Sequence, residues 1–407
     1  MRNVVFVVPY AMESTLRFVR AAAGLEGVRL AIVSQEAPTS LPADLVEKLG
    51  AHVRCGNALD AEQLEKAVRE AGKQMGGEVE ALIGILEPLQ EALARVRERL
   101  SIRGMDCQEA EHFRDKNIMK DVLRANDVPC ARHGLARTKE EARAFCKESG
   151  FPVVAKPPAG AGARNTMRLE TPQDLEGYLR SLPPSPAAPL LLEEFIRGVE
   201  HSFDSVSVAG QHVFHSISRY SPTPLEVMQS PWIQWCVLIP RDTAGPEYDD
   251  IRAAGNKALD CLGMVTGMTH MEWFRREDGS LAISEVASRP PGAQFTSLIS
   301  FAHDKDFYKV WAEVSIFEKF EAPERPYACG AAYLRAQGDG LISQIDGIEE
   351  AQRELGDLVV DAKLPRVGQA PASSYEGEGY VILRHPETSV VQAGLEQILE
   401  TIRIRLA

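Results

Sequence analysis

The segment 267–290 predicts a β-hairpin that places two carboxylates opposite each other. Two apolar-rich runs flank Asp278-Gly279, a preferred dipeptide for a two-residue type I′ turn between antiparallel strands. With that turn, the paired residues are Glu277 with Ser280, Phe274 with Ile283, Glu272 with Glu285, and His270 with Ala287. Residues directly opposite each other share one face of a hairpin, so Glu272 and Glu285 are expected about 5 Å apart at Cβ.

Two like charges at this spacing repel each other, and a solvated sheet face gains nothing from them. A divalent cation between Glu272 and Glu285 would replace the repulsion by binding, because Mg²⁺ prefers carboxylate oxygens as ligands. The alternative is an exposed hairpin with a bulge that moves the two acids apart. The hairpin by itself leaves both alternatives open.

The charge and composition of the chain favour a protein that acts on small molecules. Its 407 residues carry a net charge of −13 with acids and bases interspersed, so neither a nucleic acid nor an anionic membrane is expected as the main partner. The apolar run at the amino terminus stops at Pro9, too early for a signal peptide or a membrane span. Seven scattered cysteines without a C-x-x-C pair indicate reduced thiols, so we expect a cytoplasmic protein without structural zinc.

The order of apolar patterns predicts a mixed α/β and α+β protein. Strand-like and helix-like segments alternate over residues 1–105, which is typical of a Rossmann-like parallel sheet, although no G-x-G-x-x-G follows the first strand. Residues 325–407 contain short strand patterns, glycine-rich turns and an amphipathic pattern over 389–404. These features predict a separate α+β unit that ends in a helix.

A second group of candidate residues surrounds a turn of small residues. The strand 151–156 ends in Lys156 and leads into A-G-A-G-A (159–163), which contains Gly160 and Gly162. Small residues let backbone N–H groups approach phosphate oxygens, and a lysine adds a positive charge. The Gly-Lys-Ser/Thr of a Walker A loop is missing, and a turn that binds no ligand is the commoner role of such a segment.

The third candidate segment is L-L-L-E-E-F-I (190–196), which Glu200 follows closely. An apolar strand that leads into consecutive glutamates could present backbone groups to a purine, and Glu200 could hold a ribose. A strand end with solvated acids is the alternative explanation of this segment.

The order of these segments along the chain resembles the ATP-grasp superfamily over roughly residues 106–320. The order is Lys116, then Lys156 with the glycine loop, then Glu-Glu-Phe-Ile with Glu200, and then Glu272, Glu285 and Arg289. The resemblance implies a three-part architecture with a further C-terminal unit. Its expected domains are a Rossmann-like domain (1–105), a small subdomain with the glycine-rich loop (106–190), a large subdomain with the metal site (191–324) and an α+β domain (325–407).

The resemblance also implies roles for individual residues. The residues expected at ATP are Lys116, Lys156, Gly160, Gly162, Glu193, Glu194, Phe195, Ile196, Glu200 and Ile283. Glu272 and Glu285 match the acids that bind Mg²⁺ (or Mn²⁺) in this family. Arg289 matches the arginine that steadies an acyl phosphate, and it would act in catalysis together with Lys116 and Lys156.

Within the superfamily, the chain is most similar to carboxylate–amine ligases with a biotin-carboxylase-like C-terminal region. This similarity implies an enzyme that forms an amide or peptide bond through an acyl phosphate and releases ADP and phosphate. Its substrates would be a small carboxylate and an amine, amino-acid-like in type, and a homodimer is an open alternative for its assembly. The other functions left open are a purine-pathway transformylase- or carboxylase-like enzyme, a phosphotransferase and a non-catalytic nucleotide-binding protein.

One departure from the family pattern lies beside the metal acids. Ala287 stands where the family often has a metal-binding Asn, and the predicted pairing places His270 opposite it. His270 could contact the substrate or a metal ligand, or simply pack. Arg219, at a predicted strand end, and Ser288 are the other substrate candidates, since an arginine can clamp a carboxylate with two hydrogen bonds. A surface ion pair is an equal alternative for Arg219.

Overall fold

A four-stranded parallel sheet opens the computed structural model, which describes residues 1–160, 165–230, 233–372 and 376–407, with the backbone alone for Met228 and Gln229. The strand order is β3-β2-β1-β4. The elements are β1 (Arg2–Val7), α1 (Glu13–Ala23), β2 (Val28–Ser34), α2 (Ala43–Val46), β3 (Ala51–Arg54), α3 (Ala61–Gln74), β4 (Ala81–Ile83) and α4 (Gln90–Leu100). Val4 and Phe6 belong to one apolar cluster and Val5 and Val7 to another, so β1 is covered on both faces, which explains its unbroken apolar sequence.

A small antiparallel sheet of order β5-β8-β6-β7 follows. The elements of this region are α5 (Cys107–Arg114), α6 (Lys116–Ala125), β5 (His133–Ala136), α7 (Lys139–Ser149), β6 (Val153–Lys156), β7 (Met167–Leu169), α8 (Pro172–Ser181) and β8 (Leu190–Glu194). The capping box of Thr138 with Glu141 begins α7, and the equivalent pair of Thr171 with Asp174 begins α8. Both caps depend on local residues alone, so the sequence around them is sufficient to begin the two helices.

The largest sheet has eight antiparallel strands in the order β13-β12-β9-β10-β11-β14-β18-β17. Up to residue 317 its region contains β9 (Gly198–Val208), β10 (Gln211–Ser221), α9 (Pro224–Gln229), β11 (Trp235–Ile239), α10 (Asp249–Leu262), β12 (Gly267–Arg276), β13 (Leu281–Ala287), α11 (Phe295–His303) and α12 (Phe307–Phe317). Strands β12 and β9 run side by side over ten residue pairs. This sheet carries the acidic hairpin at one edge.

The C-terminal residues extend the large sheet and add a second, smaller one. They form β14 (Ala328–Leu334), β15 (Ala336–Gln337), β16 (Ile342–Asp346), α13 (Ile348–Leu355), β17 (Val359–Lys363), β18 (Gly379–His385), α14 (Thr388–Thr401) and β19 (Arg403–Leu406). Because β14 pairs with β11, the sheet crosses the expected boundary at residue 325, and the domain division stays a prediction. The final helix ends at Thr401, and residues 403–406, expected to be partly helical, form β19 instead because they pair with β15 and β16.

The longest helices of the described ranges, α3, α10 and α14, have 14 residues each. No helix in these ranges combines the length and the apolarity that crossing a bilayer requires.

The acidic hairpin has a different turn from the one predicted. Arg276 N donates to Ser280 O at 2.8 Å, so three residues form the turn, and Gly279 adopts a φ of +84°. Phe274 consequently pairs with Ala282 rather than with Ile283, and the expected pair of Glu277 with Ser280 is absent. A bulge then shifts the register back by one residue, so that Glu272 pairs with Glu285 and His270 with Ala287, as predicted. In the alternative interpretation of the sequence a bulge would separate the acids, whereas in the structure the bulge is the feature that aligns them.

Candidate active site

A cavity of about 390 Å³ lies between the small sheet and the large one. Among the described residues, it brings together most of the candidates: Lys116, Lys156, Gly160, Glu193, Glu194, Phe195, Ile196, Glu200, His270, Glu272, Glu285 and Arg289. Residues separated by more than 170 positions in the chain therefore share one cleft. Gly162 lies outside the described residues.

Ile283 requires a correction, because it does not line this cavity. Its side chain is fully buried in an apolar core, and its backbone N–H donates to Pro129 O at 2.8 Å. The cavity wall is instead formed by Phe274 and Ser284. The three-residue turn and the bulge change which residues of β13 face the cleft. A prediction that assumes a two-residue turn cannot include this change of face.

Arg219 and Ser288 also lie away from the cavity lining. Successive residues of a strand point to opposite faces, so Tyr220 lines the cavity while Arg219 is exposed on the other side of β10. Ser288 Oγ lies 3.5 Å from Met105 Sδ and lines a different recess. Neither residue is placed to contact a ligand held in the cleft.

Lys116 begins helix α6 and points into the cleft. Asp115 caps this helix by accepting hydrogen bonds from the N–H groups of Asn117 and Ile118. Lys116 Nζ donates to Gly160 O at 2.8 Å and forms an ion pair with Glu285 Oε1, also at 2.8 Å. Its side chain is 5% exposed, so this lysine links the glycine loop to the acidic hairpin inside the protein.

Lys120 is a buried lysine that the sequence analysis missed. Glu193 Oε2 forms an ion pair with Lys156 Nζ at 2.9 Å, and Glu193 Oε1 forms one with Lys120 Nζ at 3.3 Å. The pair with Lys120 does not have the geometry of a hydrogen bond. Lys120 Nζ also donates to Ser284 O at 2.5 Å. The available signal was its spacing, since a residue four positions after Lys116 lies on the same helix face.

Burial and charge act in opposite directions on this buried group. Burial lowers the pKa of Lys120, and the carboxylate of Glu193 offsets part of that effect. Burial alone would raise the pKa of Glu193, but Lys120 and Lys156 outweigh it and hold the pKa below its ordinary value. Glu193 is therefore an anion that keeps two lysines in place, and its contact with ATP stays a prediction.

The two hairpin acids fit a magnesium ion that nucleotide phosphates also ligate. Burial would raise the pKa of Glu285, but Lys116 and Lys156 lower it to about 2, so this carboxylate is ionised at neutral pH. Among the described residues, no three His, Cys, Asp or Glu side chains are grouped to hold a metal by themselves. Mg²⁺ commonly takes one or two carboxylates and completes its shell with substrate phosphates and water, so the pair of Glu272 and Glu285 suits this ion.

Glu200 has the opposite electrostatic environment from Glu285. Its side chain is buried in the cleft, and burial together with the charge of Glu272 raises its pKa well above the ordinary value. A neutral carboxyl group can both donate and accept a hydrogen bond, which is what a neighbouring hydroxyl group requires.

His270 is a cation held between acids. Its Nδ1 lies 2.6 Å from Asp204 Oδ1, and its Nε2 lies 3.7 Å from Glu272 Oε1. Burial lowers the pKa of His270, but Asp204 and Glu272 outweigh burial and raise it to about 9. A protonated imidazole has no lone pair for a metal, so His270 could take the place of the Asn that the family often has at position 287 only after losing this proton.

Glu87 is a second functional candidate that sequence reasoning missed. Its Oε2 accepts hydrogen bonds from Arg289 Nε at 3.2 Å and Nη2 at 3.1 Å, and its Oε1 accepts one from Arg114 Nη1 at 3.0 Å. Arg114 also donates to the carbonyl oxygens of Ala159 and Gly160, both at 3.1 Å. A carboxylate of the N-terminal region therefore connects Arg289 with the start of the glycine loop. No motif surrounds Glu87 in the sequence, so only the three-dimensional contacts reveal it.

The two ends of the cleft differ in chemistry. At one end, Phe195, Ile196 and Phe274 offer apolar contacts, and the guanidinium of Arg168 lies 4.0 Å from the Phe195 ring centroid. At the other end, the lining includes Tyr220, Thr223, Glu226, Trp235 and Phe295. The positively charged side chains described above also line the cleft. The cleft therefore suits a ligand with a flat apolar part and an anionic part.

The cleft lies between two antiparallel sheets, and its lining includes lysines and a pair of acids in register. The family model of the ATP-grasp domain matches residues 121–300, so this part of the chain is similar to ATP-grasp domains. This confirms the family resemblance seen in the order of the sequence segments.

Relatives of the chain include two ligases of Bacillus subtilis. The L-arginine-specific L-amino acid ligase is 24% identical over 273 residues, which cover 65% of this chain and 65% of that protein. The alanine–anticapsin ligase of strain 168 is 26% identical over 297 residues, which cover 66% of this chain and 61% of that protein. The chain thus spans less than two thirds of the length of either relative.

A solved structure shares the fold over the whole chain. The L-amino acid ligase from Bacillus licheniformis is 19% identical, covers 100% of this chain with 99% of its own, and gives a TM-score of 0.79. The predicted fold class, mixed α/β with a Rossmann-like N-terminal sheet, is confirmed.

Proposed function

We propose that this protein joins a small carboxylate to an amine in an ATP-dependent reaction that passes through an acyl phosphate. The observation that carries the proposal is the meeting of Lys116, Lys156, Glu272, Glu285 and Arg289 in one cleft. Two lysines and an arginine suit the phosphates of ATP, and two acids in register suit the metal that accompanies them. The relatives named above support amino-acid-like substrates.

The residues at each end of the cleft assign the orientation of ATP. The purine would lie against Phe195, Ile196 and Phe274, since a purine is flat and largely apolar. Glu200 would hold the ribose by hydrogen bonds to its hydroxyl groups, and the raised pKa of Glu200 favours the protonated form, which can donate as well as accept. The triphosphate would then extend towards Lys156 and Lys116.

The lysines are already positioned for this role by their counter-ions. Glu193 holds Lys156 Nζ at 2.9 Å, and Glu285 holds Lys116 Nζ at 2.8 Å. Lys116 also bonds to Gly160 O, so binding of phosphates at Lys116 would act on the glycine loop. Exclusion of water from the cleft would protect a reactive acyl phosphate from hydrolysis.

The transfer step needs positive charge where negative charge develops. A magnesium or manganese ion held by Glu272 and Glu285 with the phosphates would supply Lewis acidity there. Arg289 would bind the transferring phosphoryl group and the substrate carboxylate through its planar fork of donors. Glu87 orients this guanidinium through two contacts to Nε and Nη2, which fixes its plane before substrate enters.

The acid and the amine would occupy the end of the cleft lined by Tyr220, Trp235 and Phe295. The substrate carboxylate attacks the γ-phosphorus of ATP, which releases ADP and forms the acyl phosphate. The amine nitrogen then attacks the acyl carbon, the phosphate leaves, and one amine proton is lost to solvent. His270 at this end is cationic, so it suits an anionic or carbonyl oxygen of the substrate.

The decisive experiment follows label from the acid to the phosphate. Purified protein is incubated with ATP, Mg²⁺, pairs of amino acids and an ¹⁸O-labelled carboxylate, with the Glu285→Gln variant as the inactive control. We expect ADP formation to require the acid, amide formation to require the amine as well, and ¹⁸O to appear in inorganic phosphate. Amide formed with AMP and pyrophosphate, or a stable phosphorylated end product, would contradict the proposal.

A further inference from the structure

A second recess lies on the C-terminal side of the protein, where β15 pairs with β19. Its lining includes Gln234, Arg335, Gln337, Gly338, Arg403 and Arg405, and none of its described residues lines the active-site cleft. The two strands are parallel, with Ala336 opposite Ile404 and Gln337 opposite Arg405. Because Ile404 is buried in the C-terminal core, its neighbours Arg403 and Arg405 point to the opposite face, where the recess lies.

The recess carries positive charge that the protein leaves largely unneutralised. The described residues of its lining include three arginines and no carboxylate, in a chain whose net charge is −13. The Arg403 guanidinium donates hydrogen bonds to the carbonyl oxygens of Leu399 and Ile402, which are neutral acceptors. Arg405 lies 3.6 Å from Asp346, but its side chain is 65% exposed, so solvent weakens this pair.

Arg335 is the buried member of this group. It is 6% exposed, and its Nη1 donates to Val227 O at 3.0 Å, again a neutral acceptor. Glu378 is the nearby acid that acts on it, yet both Glu378 oxygens already accept backbone N–H groups, from Ala336 and Ala372. No carboxylate of the described residues forms an ion pair with Arg335, so an anion in the recess would supply charge-assisted hydrogen bonds that this buried guanidinium lacks.

The recess is connected to the active-site cleft through Val227. This residue belongs to α9, and Thr223, Pro224, Leu225 and Glu226 at the start of the same segment line the cleft. The backbone N–H of Arg335 also donates to Gln234 Oε1 at 3.3 Å. Gln234 directly precedes Trp235, which lines the cleft. A ligand that orders Arg335 therefore acts directly on the segment that covers the end of the cleft.

We infer that this recess binds a small oxyanion of charge −2, such as a phosphate group or a dicarboxylate, and that the bound anion orders α9 over the cleft. Arg403 and Arg405 would contact the anion from β19, and the remaining N–H groups of Arg335 would contact it from below. The bond from Arg335 to Val227 O is retained, so the anion stiffens the contact rather than competing with it. The site is separate from the phosphate site of the proposed ATP reaction.

Binding is measured by isothermal titration calorimetry at constant ionic strength, with inorganic phosphate in one arm and succinate in the other. The proteins are the wild type, Arg403→Gln, Arg405→Gln, Arg335→Gln and the control Arg353→Gln, a 70% exposed arginine of α13. We expect binding at least about tenfold weaker in each recess variant, since each loses a charge-assisted hydrogen bond, and unchanged binding in the control. Arg403 and Arg405 are exposed, so their variants test the site even if Arg335→Gln does not fold.

Two further measurements separate this site from the cleft. Phosphate binding should survive Lys156→Ala, which removes a lysine of the cleft, and phosphate should slow hydrogen–deuterium exchange of residues 224–230. Binding that is lost in Lys156→Ala but kept in Arg405→Gln would overturn the inference, as would the absence of binding by either anion. Unchanged exchange over 224–230 with the anion bound would overturn the coupling to α9. None of these readouts depends on ligase activity, so they stand apart from the test of the proposed function.

Discussion

Removal of the Glu193 charge is the sharpest test of how the lysines of the cleft are held. The side chains of Lys120, Glu193 and Lys156 are 0%, 5% and 10% exposed. Glu193→Gln keeps the size of the side chain but leaves two buried ammonium groups without their shared counter-ion. Removal of one partner from a buried ion pair costs about 3–5 kcal/mol, and we expect a loss of that size in the free energy of unfolding.

Two other variants set the scale for this loss. Lys120→Met removes one ammonium group while Glu193 keeps Lys156, so we expect a smaller loss of about 1–3 kcal/mol, mainly from the bond to Ser284 O. Glu194→Gln is the matched control, because the adjacent Glu194 pairs with Arg132 and Arg276 nearer to solvent, at 2.8 Å each. It should cost less than about 1 kcal/mol.

Urea denaturation followed by circular dichroism measures these differences. The double variant of Lys120→Met with Glu193→Gln should lose less than the sum of the single losses, because the two residues interact. MgATP should restore part of the stability of Glu193→Gln, since its phosphates offer Lys156 a new negative partner. If Glu193→Gln were no less stable than Glu194→Gln, the buried ion group would not have the role that its geometry indicates.

The sign of the pH dependence follows from the lowered pKa of Glu193. A carboxyl group whose pKa is depressed in the folded state contributes stability above its unfolded pKa, about 4.3, and loses that contribution as the pH falls through the folded value. The wild type should therefore lose stability at acid pH by a larger amount than Glu193→Gln does. Equal acid sensitivity of the two proteins would show that Glu193 is not held ionised by the lysines.

Three further variants test the site chemistry. Glu285→Gln should largely abolish turnover and weaken Mg²⁺-dependent nucleotide binding. Its control, Glu277→Gln in the exposed turn, should do neither. Normal activity of Glu285→Gln would contradict the metal assignment. Lys156→Ala should weaken ATP binding by roughly 10- to 100-fold through the loss of a charge-assisted phosphate contact, whereas the exposed Lys147→Ala should leave the dissociation constant unchanged in the same titration. Arg289→Lys should bind ATP nearly as well as the wild type but lose most of kcat, because the planar fork is needed as charge develops; an unchanged kcat would remove Arg289 from the reaction.

The hairpin shows where sequence reasoning succeeds and where it stops. The apolar runs and the Asp-Gly pair were sufficient to predict two antiparallel strands with Glu272 opposite Glu285, and the structure has that pair. The turn has three residues instead of two, and the bulge compensates for the difference. Turn length and bulges depend on packing against β9 and on the core around Ile283, and neither is a local property of the segment.

The buried charges show the same division. Lys116 and Lys156 were recognisable from their order relative to the glycine loop and the acids. Lys120 and Glu87 were not, because their roles come from contacts with residues up to 202 positions away. A lysine in an amphipathic helix is usually solvated, and only the structure shows that this one is fully buried.

The sequence by itself determined the local elements and the order of the functional segments, since caps, apolar periods and motifs act over a few residues. It therefore indicated the fold class, the resemblance to ATP-grasp proteins and most of the cleft residues. The tertiary structure decided which face each residue presents, which charges are buried together and where distant strands pair. It moved Ile283 into the core, joined the C-terminal strands to the large sheet and placed Arg335 beneath α9. These outcomes follow from long-range packing and desolvation, whose energies depend on the whole chain being folded.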